Sequence, residues 1–168
     1  NYKEIPEVVE FTEKIGAIAF NLYFLVCTGR GQGNTDISNA AYEEALKMLY
    51  EQQMKYKGKL MINSKCAPQY KRVVYENDPE SVYTRTYSGG CPAANHYCRI
   101  SPEGNLTPCP FITESVGSLK ESSFKQLWNE APLMQELRNR EKLEGKCGTC
   151  EFSSMCSGCR ARAFAETG

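Results

Sequence analysis

The 168 residues carry no charge excess of either sign, because 20 Lys and Arg offset 20 Asp and Glu. A surface built on net charge to hold nucleic acid or an anionic membrane is therefore not part of the reading. Long apolar runs are missing too. Residues 17–26 (AIAFNLYFLV) form a short one interrupted by Asn21 and Tyr23, too short to span a bilayer. No basic segment, apolar stretch and cleavage site precede the opening NYKEIPEVVEFTEK, so a cytoplasmic chain is expected. Internal repeats and low-complexity tracts are absent. Histidine is reduced to His96 and tryptophan to Trp128. His96 reads as a solvated loop residue and Trp128 as a core residue on an apolar helix face.

Cysteine is plentiful. Of nine, seven fall between Cys91 and Cys159. The first group reads Cys91-x6-Cys98-x10-Cys109, the second Cys147-x2-Cys150-x5-Cys156-x2-Cys159. Thiolates two residues apart offer two sulfurs to one centre from a single tight turn. Seven thiolates fill one four-ligand site and three quarters of another, so two metal centres are expected. An odd cysteine count without secretory marks argues against a disulfide framework.

The first third alternates helix and strand. Ile5, Val8, Val9, Thr12 and Ile15 predict a helix over 3–15, with Pro6 in its first turn and Gly16 as its stop. The run 17–26 predicts a strand buried on both faces. A loop over 28–34 precedes a helix capped by Asp36 or Ser38, with Tyr42, Ala45, Leu46 and Leu49 on its apolar face. Glu43 and Lys47 are spaced as an i,i+4 pair, and Gly58 closes the helix. KLMIN (59–63) predicts a second strand, and the helical connection makes the pair a right-handed parallel unit. Two strands do not make a stable parallel sheet, so this is read as a piece of a larger α/β domain.

From residue 76 the texture changes to turn residues, read as a linker up to Gly90. Tyr97–Ile100 and Asn105–Thr107 predict a hairpin across Ser101-Pro102-Glu103-Gly104, which brings Cys98 and Cys109 together at its open end. Residues 122–140 predict helix, restarted at Pro132, with Phe124, Leu127 and Trp128 on one face. The charge run Arg138–Lys146 reads as a solvated surface. The last segment winds around its cysteines and then turns helical.

Cys91-x12-Gly104-x4-Cys109 followed by Cys147-x2-Cys150-x5-Cys156-x2-Cys159 resembles the SPASM domain of radical S-adenosylmethionine (SAM) enzymes. The strings GNLTPCP, VGSLKESSFKQLWNEAPLMQELR and CGTCEFSSMCSGCRARAFAE are similar to those of the alternative haem and haem d1 biosynthesis group. FLVCTGRG and SKCAPQYKRV look like the ends of the fifth and sixth barrel strands in that group. The resemblance implies an α/β fold: residues 1–76 as the end of a partial (βα) barrel, 77–90 as linker, and 91–168 as a small cysteine-rich domain of β-hairpin and helices around two Fe–S clusters.

It also implies ligands. Cys91, Cys98 and Cys109 would hold one 4Fe–4S cluster with Cys159 crossing over as fourth ligand, and Cys147, Cys150 and Cys156 the other. The second cluster's fourth ligand would be absent, or its open iron would take substrate, Glu151 or Glu166. Zinc is the alternative metal. Cys27 and Cys66 end their predicted strands, where barrel enzymes place chemistry, but read as small buried hydrophobes. Arg30 in the TGRG loop is a candidate for a carboxylate of SAM or of a tetrapyrrole.

The family's Cys-x3-Cys-x2-Cys loop, which holds the SAM-cleaving cluster, is missing from these residues. The chain is thus expected to be the C-terminal part of such an enzyme and inactive by itself, its partner being the N-terminal radical SAM half. The resemblance further implies removal of carboxyl material from a tetrapyrrole, with an electron donor such as ferredoxin or flavodoxin. A peptide-modifying maturase is the alternative of the same class. A zinc-stabilised interaction module without catalysis is the alternative of another class.

Overall fold

The computed structural model describes residues 1–32, 36–86 and 90–167, in a mixed arrangement of helices and two small sheets. A 3-10 turn (Tyr2–Glu4) leads into α1 (Ile5–Lys14), which has Pro6 in its first turn and stops before Gly16 at φ +76°. Ile5 and Val9 are buried, whereas Val8 and Ile15, expected on the same face, are exposed. Val8 sits one 100° step around the helix from Val9, and Ile15 lies past the last turn as the C-cap residue.

β1 (Ala19–Tyr23) and β2 (Met61–Lys65) pair in parallel, Ala19 opposite Met61 through Tyr23 opposite Lys65. Their connection is α2 (Asn39–Lys55), capped by Ser38, whose Oγ accepts from the Ala41 N–H at 3.2 Å. Tyr42, Ala45, Leu46 and Leu49 enter the core as their spacing predicts. Glu43 is engaged from another helix, α3 (Tyr70–Asn77), by Arg72, rather than by Lys47 along its own.

The expectation of a 17–26 strand buried on both faces needs correction. β1 is only five residues long, and Ile18 and Tyr23 are exposed at 81% and 66%. Among the described residues β1 has one strand neighbour, β2, so the apolar run meets no second flank. The burial shifts past the strand's end, to Phe24 and Val26.

The predicted linker is also partly structured. α4 (Val82–Thr86) packs the Tyr83 ring edge-on against Tyr70, with centroids 5.6 Å apart. One aromatic anchor in a polar segment leaves no periodicity to read. Residues 87–89 of that stretch lie outside the described residues.

Beyond it, β3 (Arg99–Ile100) and β4 (Asn105–Thr107) form the expected hairpin, Arg99 opposite Thr107. Its turn closes through the Gly104 N–H to the Ser101 carbonyl at 2.9 Å, with Gly104 at φ +92°. A third strand, β5 (Gly117–Ser118), adds to β4. α5 (Phe124–Glu130) and α6 (Pro132–Arg138) follow, α6 starting at Pro132 as predicted. Phe124 is exposed, yet it stacks on the half-buried Trp128 at 5.7 Å. Arg138 is not solvated: its Nε donates to the Ala94 carbonyl at 2.7 Å and its guanidinium lies 4.7 Å above the Trp128 ring. The short α7 (Gly145–Gly148) carries Cys147, and α8 (Arg160–Thr167) ends the described chain.

Three apolar clusters result. One joins α1, α2, α3 and the start of β2; one lies under the hairpin with Leu106, Leu127 and Met134. Between them, Val26 meets Cys91, Cys109, Ile112, Cys159 and Ala161. Arg162 of α8 ties this junction to the N-terminal part. It donates to the Leu25 carbonyl and the Asp36 carboxylate, and its guanidinium sits 4.9 Å over the Tyr42 ring. Arg162→Ala strands a partly buried carboxylate and a carbonyl, so a loss of about 2–3 kcal/mol is expected in urea unfolding. Arg162→Lys should recover less than half, since an ammonium cannot serve both acceptors as a guanidinium fork does.

Candidate metal centre

Two of the cysteines are followed by proline, Cys91-Pro92-Ala93 and Cys109-Pro110-Phe111. Proline presets its own φ and bends the chain back, so the N–H two residues on reaches the sulfur. The Phe111 N–H points at Cys109 Sγ from 3.5 Å, and the Ala93 N–H does the same for Cys91. Cys156-Ser157-Gly158 reaches the same result differently. Ser157 at φ +47° and Gly158 at φ +64° curl the backbone until the Gly158 N–H lies 3.4 Å from Cys156 Sγ. Such donors favour negative sulfur, as a thiolate ligand requires. The two Cys-Pro pairs were a readable signal that the spacing argument passed over.

The cysteines fall into two neighbourhoods. Cys91, Cys109 and Cys159 are buried in one apolar cluster. Backbone N–H groups of Arg160 and Arg162 point at Cys91 and Cys159 respectively. Cys159 also exchanges hydrogen bonds with Cys91 and with a fourth thiol, Cys66. The Tyr97 hydroxyl lies 3.3 Å from Cys109 Sγ. The hydrogen bond to Cys159, then burial, pushes the Cys91 thiol up, while the Cys66 thiol is lowered by its hydrogen bond with Cys159. Several ionised thiolates in one apolar cluster repel one another, so only a bound cation or cluster lets all of them deprotonate together.

Cys147, Cys150 and Cys156 form the second neighbourhood. Burial raises the Cys156 thiol, and the charges of Cys147 and Cys150 add to it. Cys147 Sγ lies 3.3 Å from where a β-carbon on Gly158 would stand, so Gly158 leaves room for it. Cys150 is exposed, as are Glu151 and Glu166.

Other candidates stand apart. Cys98 packs against the Ala94, Leu106 and Met134 cluster under the hairpin, not with Cys91 and Cys109. Arg30 is exposed on a 3-10 turn (Gly29–Gly31) and does not line the thiol cavity. Cys27 is half-buried beyond β1, and His96 is exposed.

A cavity of about 560 Å³ opens at the C-terminal end of β2. Cys66, Cys91, Cys109 and Cys159 line it, together with Tyr97 and Lys71. Lys71 is 3% exposed, and burial, then the charge of Arg140, holds it below the ordinary lysine range. Sequence reasoning missed it because an Arg- and Lys-rich start to a helix looks like solvated surface. Among the described residues no three His, Cys, Asp or Glu side chains gather closely enough to hold one ion. The thiols border a cavity instead, which suits a centre whose ligands each bind a different iron. Among the described residues no helix is long and apolar enough to cross a membrane.

Comparison with known proteins agrees with this chemistry. Residues 91–151 match the SPASM iron-sulfur cluster-binding domain. The whole chain aligns with the AdoMet-dependent heme synthase of Methanosarcina barkeri at 36% identity, over 50% of that protein. It also aligns throughout with the AdoMet-dependent heme synthase of Nitratidesulfovibrio vulgaris, at 30% identity over 48% of its length. The pre-heme d1 synthase of Dinoroseobacter shibae matches at 27% identity, with the whole chain aligned to 46% of it. The chain spans about half the length of the curated relatives it matches. Residues 91–151 thus carry the SPASM iron-sulfur domain, and the chain as a whole is similar to about half the length of AdoMet-dependent haem synthases and of a pre-haem d1 synthase.

Proposed function

We propose that this chain is the auxiliary-cluster region of an enzyme that removes side-chain carboxyl material from a tetrapyrrole. Residues 1–76 would close a partial barrel, 77–90 connect, and 91–168 hold two 4Fe–4S clusters. One observation carries the reading: buried thiols line a cavity at the C-terminal end of parallel strand β2, the end where α/β folds bind their ligands. A haem-type substrate is favoured because the relatives of 30% identity or more that align throughout are haem synthases, whereas a PqqA peptide cyclase aligns throughout at 27%.

Cys91, Cys109 and Cys159 would hold the first cluster, and Cys147, Cys150 and Cys156 the second, whose last position falls to a residue outside these 168, to substrate, or to Glu151 or Glu166. When bound, such clusters supply reversible one-electron transfer. The chain's own residues set the conditions. Phe111 and Gly158 N–H groups and the Tyr97 hydroxyl offset negative charge on sulfur, which raises the potential at which an electron is accepted. The apolar lining excludes water. Lys71 places a cation in the same cavity for a propionate, and Arg30 serves a second carboxylate, of substrate or SAM, in the assembled enzyme.

The test uses the full-length polypeptide, prepared anaerobically. About eight irons and eight sulfides are expected in addition to those of the SAM-cleaving cluster. With SAM and a reductant, iron-coproporphyrin should then release carbon dioxide. Stoichiometric zinc in place of iron would sink the cluster assignment. Turnover of a peptide with none of any tetrapyrrole would sink the haem reading alone.

A further inference from the structure

We infer that Cys66 is a metal-ligating residue, completing with Cys91, Cys109 and Cys159 a four-thiolate set around the cavity at the end of β2. The inference rests on the cluster reading above and goes beyond it, because the family resemblance implies Cys98 for that position.

Placement is the first argument. Cys66 follows directly on β2, lines the cavity and packs against the Cys91, Cys109 and Cys159 cluster. The walls of that cavity bring the Cys66 residue together with Cys91, Cys109 and Cys159. The four sulfurs thus belong to one neighbourhood although 93 positions separate Cys66 from Cys159 in the chain.

Backbone conformation is the second. Cys66 has φ +59°, one of three non-glycine residues with positive φ among those described. Glycine or asparagine would sit there at lower cost, by about 1 kcal/mol. The turn that imposes this φ is secured on both sides. Ser64 Oγ donates to the Ala67 carbonyl at 3.3 Å, and Pro68 leads into α3. The left-handed residue reverses the chain at the cavity rim, with the thiol on the cavity side.

The third concerns the alternative donor. Tyr97 lines the cavity and places its hydroxyl 3.3 Å from Cys109 Sγ. Neighbouring residues of an extended segment point to opposite faces. Cys98, next along the approach to β3, therefore faces away and packs under the hairpin with Leu106 and Met134.

Binding replaces the thiol proton by an iron–sulfur bond, the proton leaving to solvent, with no change in oxidation state. The experiment compares Cys66→Gly, Cys66→Ser and Cys98→Ala in the anaerobic full-length protein by iron count, Mössbauer and EPR spectroscopy. Glycine suits φ +59°, so a loss in Cys66→Gly reflects the thiol and not backbone strain. That variant should lose about one iron per chain and, after one-electron oxidation with ferricyanide, give the EPR signal of a 3Fe–4S centre, or lose the whole cluster. Cys66→Ser should keep the cluster with altered EPR g-values, because oxygen replaces sulfur on one iron. Cys98→Ala should match the wild type. Wild-type spectra in Cys66→Gly, or loss in Cys98→Ala alone, would overturn the inference and leave the cluster reading standing. Wild-type protein without auxiliary iron overturns the cluster reading and Cys66 as its ligand together.

Discussion

Cys109→Ala should strip the first thiol site of about four irons per chain and loosen the fold around it. Cys109 is 2% exposed, is bridged to Ile112, and shares both an apolar cluster and the cavity wall with Cys91 and Cys159. Its sulfur is addressed from two directions, by the Phe111 N–H and the Tyr97 hydroxyl. Removing it leaves the Phe111 N–H and the Tyr97 hydroxyl facing a void while three other thiolates must share the centre. Free energy of metal binding in small domains is largely free energy of folding. Several kcal/mol should therefore vanish, a fall of roughly 10 °C or more in the anaerobic melting midpoint for a chain of this size. Cys109→Ser should fall between. An alanine variant with unchanged iron and midpoint would contradict the ligand role of Cys109.

Gly90→Ala should be the most damaging substitution outside the thiols. Gly90 is buried at φ +79°, and its N–H donates to the Met155 carbonyl at 2.7 Å. A β-carbon there would stand 2.1 Å from Ser157 Oγ and 2.9 Å from the Cys156 carbonyl oxygen. The serine side chain can rotate, but the carbonyl is backbone and must move. Displacing it shifts Cys156 and the start of the turn leading to Cys159, so both thiol neighbourhoods suffer at once. A cost on the order of 3 kcal/mol follows from backbone strain plus overpacking. Gly16→Ala isolates the strain, because Gly16 also has positive φ but nothing lies within 4 Å of its added β-carbon. It should cost only about 1 kcal/mol. Urea midpoints and rates of iron release to a chelator measure both; equal effects for the two variants would refute the close approach at Gly90.

What the sequence made legible was local. The hairpin could be read because Pro102 and Gly104 sit at fixed offsets in one turn, and the second thiol neighbourhood because its cysteines lie within ten positions. The α2 core face followed from a 3.6-residue period. What stayed hidden depends on which distant segments meet. The 17–26 run reads as a doubly buried strand only if both flanks are occupied, and periodicity carries no information about neighbours. Arg138 looked solvated because a charge pattern does not tell which guanidinium is drawn over Trp128. In each case a long-range contact overrode a sound local reading.

The grip of Arg162 on Leu25, Asp36 and Tyr42 has a bearing on timing. Cys159 immediately precedes α8, and Arg162 lies within its first turn. A thiol of the centre and the clasp on the loop after β1 are thus three residues apart on one rigid segment. Opening either end frees the other, so the loop and the centre breathe as one cooperative unit. Assembly then has a natural order. The N-terminal part must already present Leu25 and Asp36 before α8 can seat, which delays closure of the thiol cavity until the fold beneath it is complete. The final helix of the described chain would then be the piece that closes the cavity.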